Sequence, residues 1–268
     1  MTRPVRGYCT GPFGQVHFHD TGGAGPPLVL CPQAPMSARQ FDRVYGLLAG
    51  KGLRAIGIDT PGFGQSDAPP FIPTVEDFAG AIPAVLDHVG LKAAHILGHH
   101  TGAMIATEAA VAYPARIMSL VMNGPLPLTA SERAEFHKFV DDFERPFRAK
   151  PDGSHLTDWW KRRSFMAAPD SDWERMTLYV CEPLLGAAPF WYGHNAAFAY
   201  DHGASIMRVT QPTLILTNTG DQIYAQARHT HTLRPDFKYI EIPGGGVDIV
   251  DEAPEAWAAA VAGFVLGK

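Results

Sequence analysis

The stretch that most constrains the fold runs from Ala94 to Ala106, where a short apolar run meets a turn and then a segment of small residues. This order is typical of a buried strand that turns sharply into a helix. Gly98 and Gly102 lie two residues on either side of His100. Because glycine tolerates positive φ and lets two elements pack closely, this spacing predicts a strained turn with His100 at its tip. We expect a positive φ at His100.

Strand and helix patterns alternate along much of the chain. Residues 14 to 31 predict an edge hairpin that leads into the first buried strand. The predicted buried strands cover 27–31, 54–59, the run that ends at Gly98, 117–123, 212–217 and 239–242, and the predicted helices cover 38–51, 74–90, the segment after His100 and 254–266. Such alternation predicts an α/β fold with a doubly wound, mostly parallel sheet that is covered on both faces.

One long block interrupts this alternation. Residues 126–206 contain helical patterns rich in aromatic and charged residues, and no strand pattern is evident there. A helical block between two strands of such a sheet is best placed over the carboxyl ends of the strands, where ligands bind in these folds. The sequence therefore predicts a core made of 1–125 and 207–268, with an inserted helical cap at 126–206.

Composition narrows the classes of partner. The 268 residues carry a net charge of −5, without a block of one sign, so nucleic acid and anionic membranes are not expected partners. The apolar runs are too short to span a bilayer, and no apolar segment follows the N-terminal arginines. Three widely spaced cysteines suit free thiols in a reducing compartment. We expect a cytoplasmic protein that binds a small-molecule substrate without a cofactor; a homodimer stays open.

Several short motifs resemble those of the α/β-hydrolase fold superfamily. The loop at 59–67 resembles the D-x-x-G-x-G-x-S-x loop of many members, and 98–102 resembles the nucleophile elbow, whose general form is G-x-S-x-G. Gly220-Asp221 follows a late strand, and a glycine run occupies 244–246. The resemblance covers nearly all of the chain outside the cap. It implies a site built from an elbow nucleophile, an acid and a histidine.

The chain departs from the family pattern at two of these three positions. His100 stands where members have Ser, or less often Asp or Cys, and Val247 stands where the triad histidine is usual. Only the acid is retained, as Asp221. The resemblance implies oxyanion donors at the amides of Thr101 and Gln33, although a one-residue slip in the alignment would place a proline, which has no N–H, at the second position.

The joint loss of Ser and His with retention of the acid predicts a His100–Asp221 dyad. The small Val247 leaves space for the His100 ring to reach Asp221 directly, at about 3.2 Å or less between nitrogen and oxygen. A carboxylate partner favours the protonated imidazole and makes His100 a general base near neutral pH. Nucleophilic attack by His100 itself is a further route.

We interpret the chain as an atypical enzyme of this fold that hydrolyses a small, largely apolar ester or activated carbonyl compound. The first alternative is a cofactor-independent lyase or isomerase that uses the same base. The second is a non-catalytic small-molecule binding protein, because fold alone does not determine function. An enzyme needs Asp221 aimed at His100 beside an open pocket, whereas a binding protein needs only the pocket.

Other residues are candidates of lower specificity. Cap aromatics often pack internally, but caps of this family line the pocket, so the resemblance makes the following substrate-contact candidates: Trp159, Trp160, Trp191, Tyr192, His194 and, from the core, Val247. His99 is expected to point away from the pocket. We predict no metal at His17, His19 and Asp20, because a zinc shell needs a further protein ligand; His229 and His231 fit a surface helix. Asp248 is either a polar group near the site or a water-facing loop residue.

Overall fold

The computed structural model describes residues 3–167 and 171–267. It contains one eight-stranded sheet with the order β1-β2-β4-β3-β5-β6-β7-β8. The strands are β1 (Val5–Gly11), β2 (Gly14–Asp20), β3 (Pro27–Cys31), β4 (Arg54–Ile58), β5 (Ala94–His99), β6 (Ile117–Asn123), β7 (Thr213–Asn218) and β8 (Lys238–Ile242). β1 and β2 are antiparallel to their neighbours, and the other six strands run parallel. The predicted fold class is confirmed.

The predicted hairpin lies in a different place. β1 pairs with β2 across a tight turn, whereas β2 pairs next with β4, so the glycine-rich loop after β2 carries the chain across the sheet and not back to a neighbour. Asp20 at the end of β2 accepts a hydrogen bond from Arg54 Nη2 at 2.6 Å, which fixes this pairing. The expectation of a hairpin within 14–31 was wrong because β3, buried from Leu28 to Cys31, lies between two parallel strands.

Twelve α-helices accompany the sheet in the described part of the chain. They are α1 (Tyr45–Gly50), α2 (Val75–Ala79), α3 (Ala81–His88), α4 (Thr101–Ala112), α5 (Ala130–Phe139), α6 (Ser154–Phe165), α7 (Trp173–Cys181), α8 (Trp191–Ala199), α9 (His202–Ile206), α10 (Tyr224–Leu233), α11 (Ile249–Glu252) and α12 (Pro254–Val265). Within these same ranges, no helix is both long and apolar enough to cross a membrane.

Two of the predicted helices are interrupted. The segment 38–51 forms a short 3₁₀ turn at Ala38–Phe41 and then α1, and 74–90 forms α2 and α3 with a break at Gly80. Pro83 has no N–H to donate to the carbonyl four residues earlier, which accounts for the second break. Both segments are helical, as their periodicity predicted, but neither forms one continuous helix.

The segment between β6 and β7 is helical, as the pattern change indicated. It holds α5 to α9 and a π-helical turn at Val140–Glu144, and its described residues include no strand. Part of it packs into the main apolar core, which includes Leu126, Ala197 and Ile206. The rest forms a small separate cluster around Trp159.

Candidate active site

The turn between β5 and α4 has the expected strain. His100 has φ 51 and ψ −112, a region that side chains other than glycine rarely adopt. A Cβ atom on Gly98 would lie 1.9 Å from the carbonyl oxygen of Gly102, and one on Gly102 would lie 2.1 Å from the carbonyl oxygen of Cys31. Both glycines are therefore required for this turn to form, and the predicted positive φ is confirmed.

The His100 ring reaches Asp221 directly. Its Nε2 lies 2.8 Å from Oδ2 of Asp221, whose side chain is fully buried, whereas the His100 side chain is 18% exposed. The Ile223 amide donates to the other carboxylate oxygen at 3.1 Å. Burial opposes ionisation of Asp221, but the attraction and hydrogen bond of His100 and the Ile223 amide outweigh it and lower the pKa of the carboxyl group. The distance meets the predicted limit of about 3.2 Å.

The ionised carboxylate determines the tautomer of His100. A carboxylate only accepts hydrogen bonds, so Nε2 carries the hydrogen and Nδ1 of the neutral ring carries a lone pair. No group of the described chain bonds to Nδ1, and His100 lines a cavity. The arrangement therefore leaves one basic nitrogen free for a ligand of the cavity.

Gly124 makes room for the ring. It follows β6 with φ +70, and a Cβ atom there would lie 2.7 Å from Cδ2 and 2.9 Å from Nε2 of His100. Sequence reasoning missed this residue. The available signal was a glycine directly after a buried strand that neighbours the turn.

His99 lies beneath the site. It is fully buried, its ring centroid is 4.4 Å from that of His100, and its Nε2 donates to the carbonyl oxygen of Val247 at 2.8 Å. Burial, aided by the neighbouring His100, lowers the pKa of His99 to about 3. It does not line the cavity, as expected. Its neutral ring anchors the loop that carries Val247.

The cavity has a volume of about 540 Å³ and lies between the carboxyl ends of the strands and the cap. The lining is largely apolar and includes Met104, Phe139, Phe143, Phe198 and Ile223. Two cap arginines, Arg162 and Arg163, also line it. Their carboxylate partners are Glu144 and Asp248.

Three of the six substrate-contact candidates line this cavity: Trp159, His194 and Val247. The other three do not line it. Trp160 packs on Trp173 at 6.2 Å between rings, Trp191 lies under the guanidinium of Arg145 at 4.3 Å, and Tyr192 packs against the main core. Successive helical residues point about 100° apart, so neighbours such as Trp159 and Trp160 do not share one face.

One of the two predicted oxyanion donors already donates a hydrogen bond within the protein. The amide of Gln33 donates to Oε1 of Gln40 at 2.9 Å, so in this structure it is not free for a substrate oxygen. The side chain of Gln33 faces Asp248, with 3.4 Å between Nε2 and Oδ1. Thr101 and Ala34 both line the cavity, and in the chain as described neither amide has an acceptor.

Asp248 does not face water. Its side chain is buried and forms an ion pair with Arg163. Burial raises the pKa of Asp248 to about 6, against the effect of Arg163. This pair connects the cap to the loop after β8.

The histidines of β2 are not arranged as a ligand set. His17 Nδ1 lies 2.8 Å from Oδ2 of Asp59, in the interior, and Asp20 is paired with Arg54. Over 3–167 and 171–267, no group of three or more His, Cys, Asp or Glu residues could hold a metal ion. His229 is exposed on α10, and the His231 ring stacks on Tyr239 at 4.9 Å.

Comparison with known proteins identifies the family of the chain. A family model described as the alpha/beta hydrolase fold matches residues 26–254. A 2-hydroxy-6-oxononadienedioate/2-hydroxy-6-oxononatrienedioate hydrolase of Paraburkholderia phymatum is 34% identical over 114 residues, which are 41% of this chain and 40% of that protein. The chain therefore matches well under half of the length of this relative.

Solved structures agree in fold. Epoxide hydrolase A from Mycobacterium thermoresistibile superposes with a TM-score of 0.79 at 20% identity, over 98% of both chains. An epoxide hydrolase from an endophytic Streptomyces gives a TM-score of 0.82 at 18% identity, over 100% of this chain and 96% of the other. On the family model and this shared fold, the chain belongs to the alpha/beta hydrolase fold family.

Proposed function

We propose that this protein is a hydrolase in which His100, held by Asp221, acts as a general base toward water and a small, largely apolar ester or activated carbonyl compound. The observation that carries the proposal is the pair itself: Nε2 of His100 lies 2.8 Å from a buried carboxylate, and Nδ1 is left with a lone pair beside the cavity. A positioned imidazole of this kind contributes about 10²–10⁴-fold to a rate.

In the proposed reaction, Nδ1 of His100 takes a proton from a water molecule as the water oxygen attacks the substrate carbonyl carbon. The positive charge that develops on the ring is stabilised by Asp221, as in other imidazole–carboxylate pairs. The amide of Thr101, at the N-terminus of α4, donates to the carbonyl oxygen as it becomes negative in this proposal. No covalent acyl-enzyme is needed.

Three further observations support this reading. The cavity lining in the described residues includes neither serine nor cysteine, which favours activated water over a covalent route. The two lining arginines are each paired with a carboxylate of the protein, which favours an uncharged substrate. The relative from Paraburkholderia phymatum is itself called a hydrolase, although its match covers only part of either chain.

The test is a panel of small apolar esters assayed with the wild type, His100→Ala and Asp221→Asn. We expect kcat to fall by about 10²–10⁴-fold in both variants, with an unchanged far-UV circular dichroism spectrum. His88→Ala, which alters an exposed histidine outside the cavity lining, should keep full activity. Full turnover in His100→Ala would refute the general-base role, and an acyl group trapped on His100 by rapid quench and mass spectrometry would replace it with a nucleophilic one.

The same free nitrogen also suits a cofactor-independent lyase or isomerase, because Nδ1 could remove a proton from carbon in place of water. Reaction in H₂¹⁸O separates the two: hydrolysis places the label in the acid product, whereas proton abstraction does not. A purely binding protein would keep its ligand affinity in His100→Ala and show no turnover of any compound in the wild type.

A further inference from the structure

A second imidazole–carboxylate pair faces the same cavity from the cap. Nδ1 of His194 lies 2.9 Å and 3.1 Å from the two carboxylate oxygens of Glu144. Glu144 ends the π-helical turn of the cap and is 0% exposed. His194 lines the cavity that His100 also lines. The cavity is therefore bounded by two imidazoles, each with its own buried carboxylate.

Arg162 also donates a hydrogen bond to Glu144. Because burial of a lone carboxylate is unfavourable, this guanidinium balances the charge of Glu144. Burial acts to raise the pKa of Glu144, but His194 and Arg162 outweigh it and lower that pKa. The imidazole of His194 is thus not required to carry a charge for Glu144 to be accommodated.

The position of α8 directs His194 toward the reaction site. A Cβ atom on Gly193 would lie 2.1 Å from Cβ of Ala34, so the start of α8 lies against the loop that follows β3. His194, Ala197 and Phe198 share one face of the helix, and all three line the cavity.

The ring orientation of His194 is fixed. It stacks on Phe198 with 5.6 Å between centroids and an interplanar angle of 18°, while Nδ1 is held by Glu144. Nε2 is the remaining nitrogen, and in the described ranges it has no protein partner. It is therefore available to a ligand oxygen.

We propose that His194 is a second catalytic residue, the general acid that protonates the leaving group, while His100 acts as the general base. This inference rests on the proposed hydrolase function. When the tetrahedral intermediate collapses, the bond between the carbonyl carbon and the leaving oxygen breaks. The leaving oxygen keeps the electron pair and takes the proton from Nε2 of protonated His194. The proton that His100 took from water returns through solvent, so one ester and one water yield one acid and one alcohol.

The test compares esters of one small acid with nitrophenol, phenol and ethanol. Nitrophenolate leaves without a proton, whereas an alkoxide requires one. We expect His194→Gln to lower kcat for the ethyl ester by about 10²–10⁴-fold and for the nitrophenyl ester only a few-fold. His137→Gln, which alters another cap histidine that does not line the cavity, should leave both rates unchanged.

The outcomes separate the two proposals. His100→Ala should lower the rates of all the esters. If it does so while His194→Gln lowers all of them equally, or none of them, the acid role is overturned and the base role survives. Wild-type protein that hydrolyses none of the esters would refute both. His194→Phe, which retains the stacking on Phe198, serves as a second variant if His194→Gln fails to fold.

Discussion

Gly124 and His100 lie so close that any side chain at position 124 would overlap the imidazole. A Cβ atom there would lie 2.7 Å from Cδ2 of His100, well inside van der Waals contact. The ring reaches Asp221 because this space is empty. The orientation of the dyad thus depends on a residue that bears no functional group.

We predict that Gly124→Ala loses most activity while the fold persists. The added methyl group must push the ring away from Asp221, and a misplacement of about 1 Å costs on the order of 10²-fold in rate. The loss should be read as kcat on an ester that the wild type hydrolyses.

Gly153→Ala is the matched control. Gly153 has φ +74, close to the +70 of Gly124, but no atom lies within 4 Å of a Cβ atom built there. Both variants should lose about 1–2 kcal/mol of stability from the left-handed backbone, but Gly153→Ala should keep its activity. Equal activity losses in the two variants would show that backbone strain, and not contact with His100, is responsible.

We predict that Arg163→Met destabilises the protein by about 3–5 kcal/mol, because Asp248 would be left buried without its cation. Since the pKa of Asp248 is already raised to about 6 by burial, losing Arg163 raises it further. The loss should therefore be larger at about pH 8, where Asp248 must ionise, than at about pH 5, where it stays protonated. Urea unfolding at both pH values measures this.

The double variant Arg163→Met/Asp248→Leu should recover most of that stability, since it leaves no unpaired charge. Lys150→Met, which breaks the exposed pair with Asp158, should change the free energy of unfolding far less. No recovery in the double variant would mean that Arg163 acts through packing on Tyr179 and not through charge.

Stability should fall as the pH drops below about 6.5, partly because of His202. Burial lowers its pKa to about 3. The neutral ring is required, since Nδ1 accepts from the Leu126 amide at 3.3 Å and Nε2 donates to Thr107 Oγ1 at 3.0 Å. Between the folded and unfolded pKa values only the unfolded chain takes up the proton, so acid favours unfolding.

For one such histidine the free energy of unfolding should fall by about 2 kcal/mol between pH 7 and pH 5. His202→Gln should reduce the pH dependence by that amount, although it is less stable at pH 7 through the lost hydrogen bonds. His229→Gln, at a position exposed on α10, should leave the pH dependence unchanged. An identical slope in wild type and His202→Gln would contradict this account.

The sequence predicted the turn because the turn depends on local residues, and it predicted the dyad because the family resemblance identifies Asp221 as the retained acid. The two glycines that flank His100 favour a sharp turn. The small Val247, which stands where the triad histidine is usual, does not compete with the His100 ring for Asp221. The helical block between β6 and β7 was equally visible, since it lacks the period of two that marks a strand.

What the sequence did not predict depends on contacts between distant segments. The engagement of the Gln33 amide by Gln40 requires the loop and the 3₁₀ turn to be placed in space first. Glu144 was missed because nothing in the local pattern distinguishes it from the surface acids around it. The choice between Trp159 and its neighbour depends on the exact rotation of α6, which periodicity alone does not resolve.

Two parts of the cap contact the core of the protein through different kinds of interaction. α8 and α9 share the main apolar core, whereas α6 and α7 are joined to the segment after β8 by Arg163–Asp248 and Arg175–Asp251. Both ion pairs are largely buried, so salt screens them much less than it screens exposed pairs. We therefore expect the positions of α6 and α7 over the cavity to change little with ionic strength.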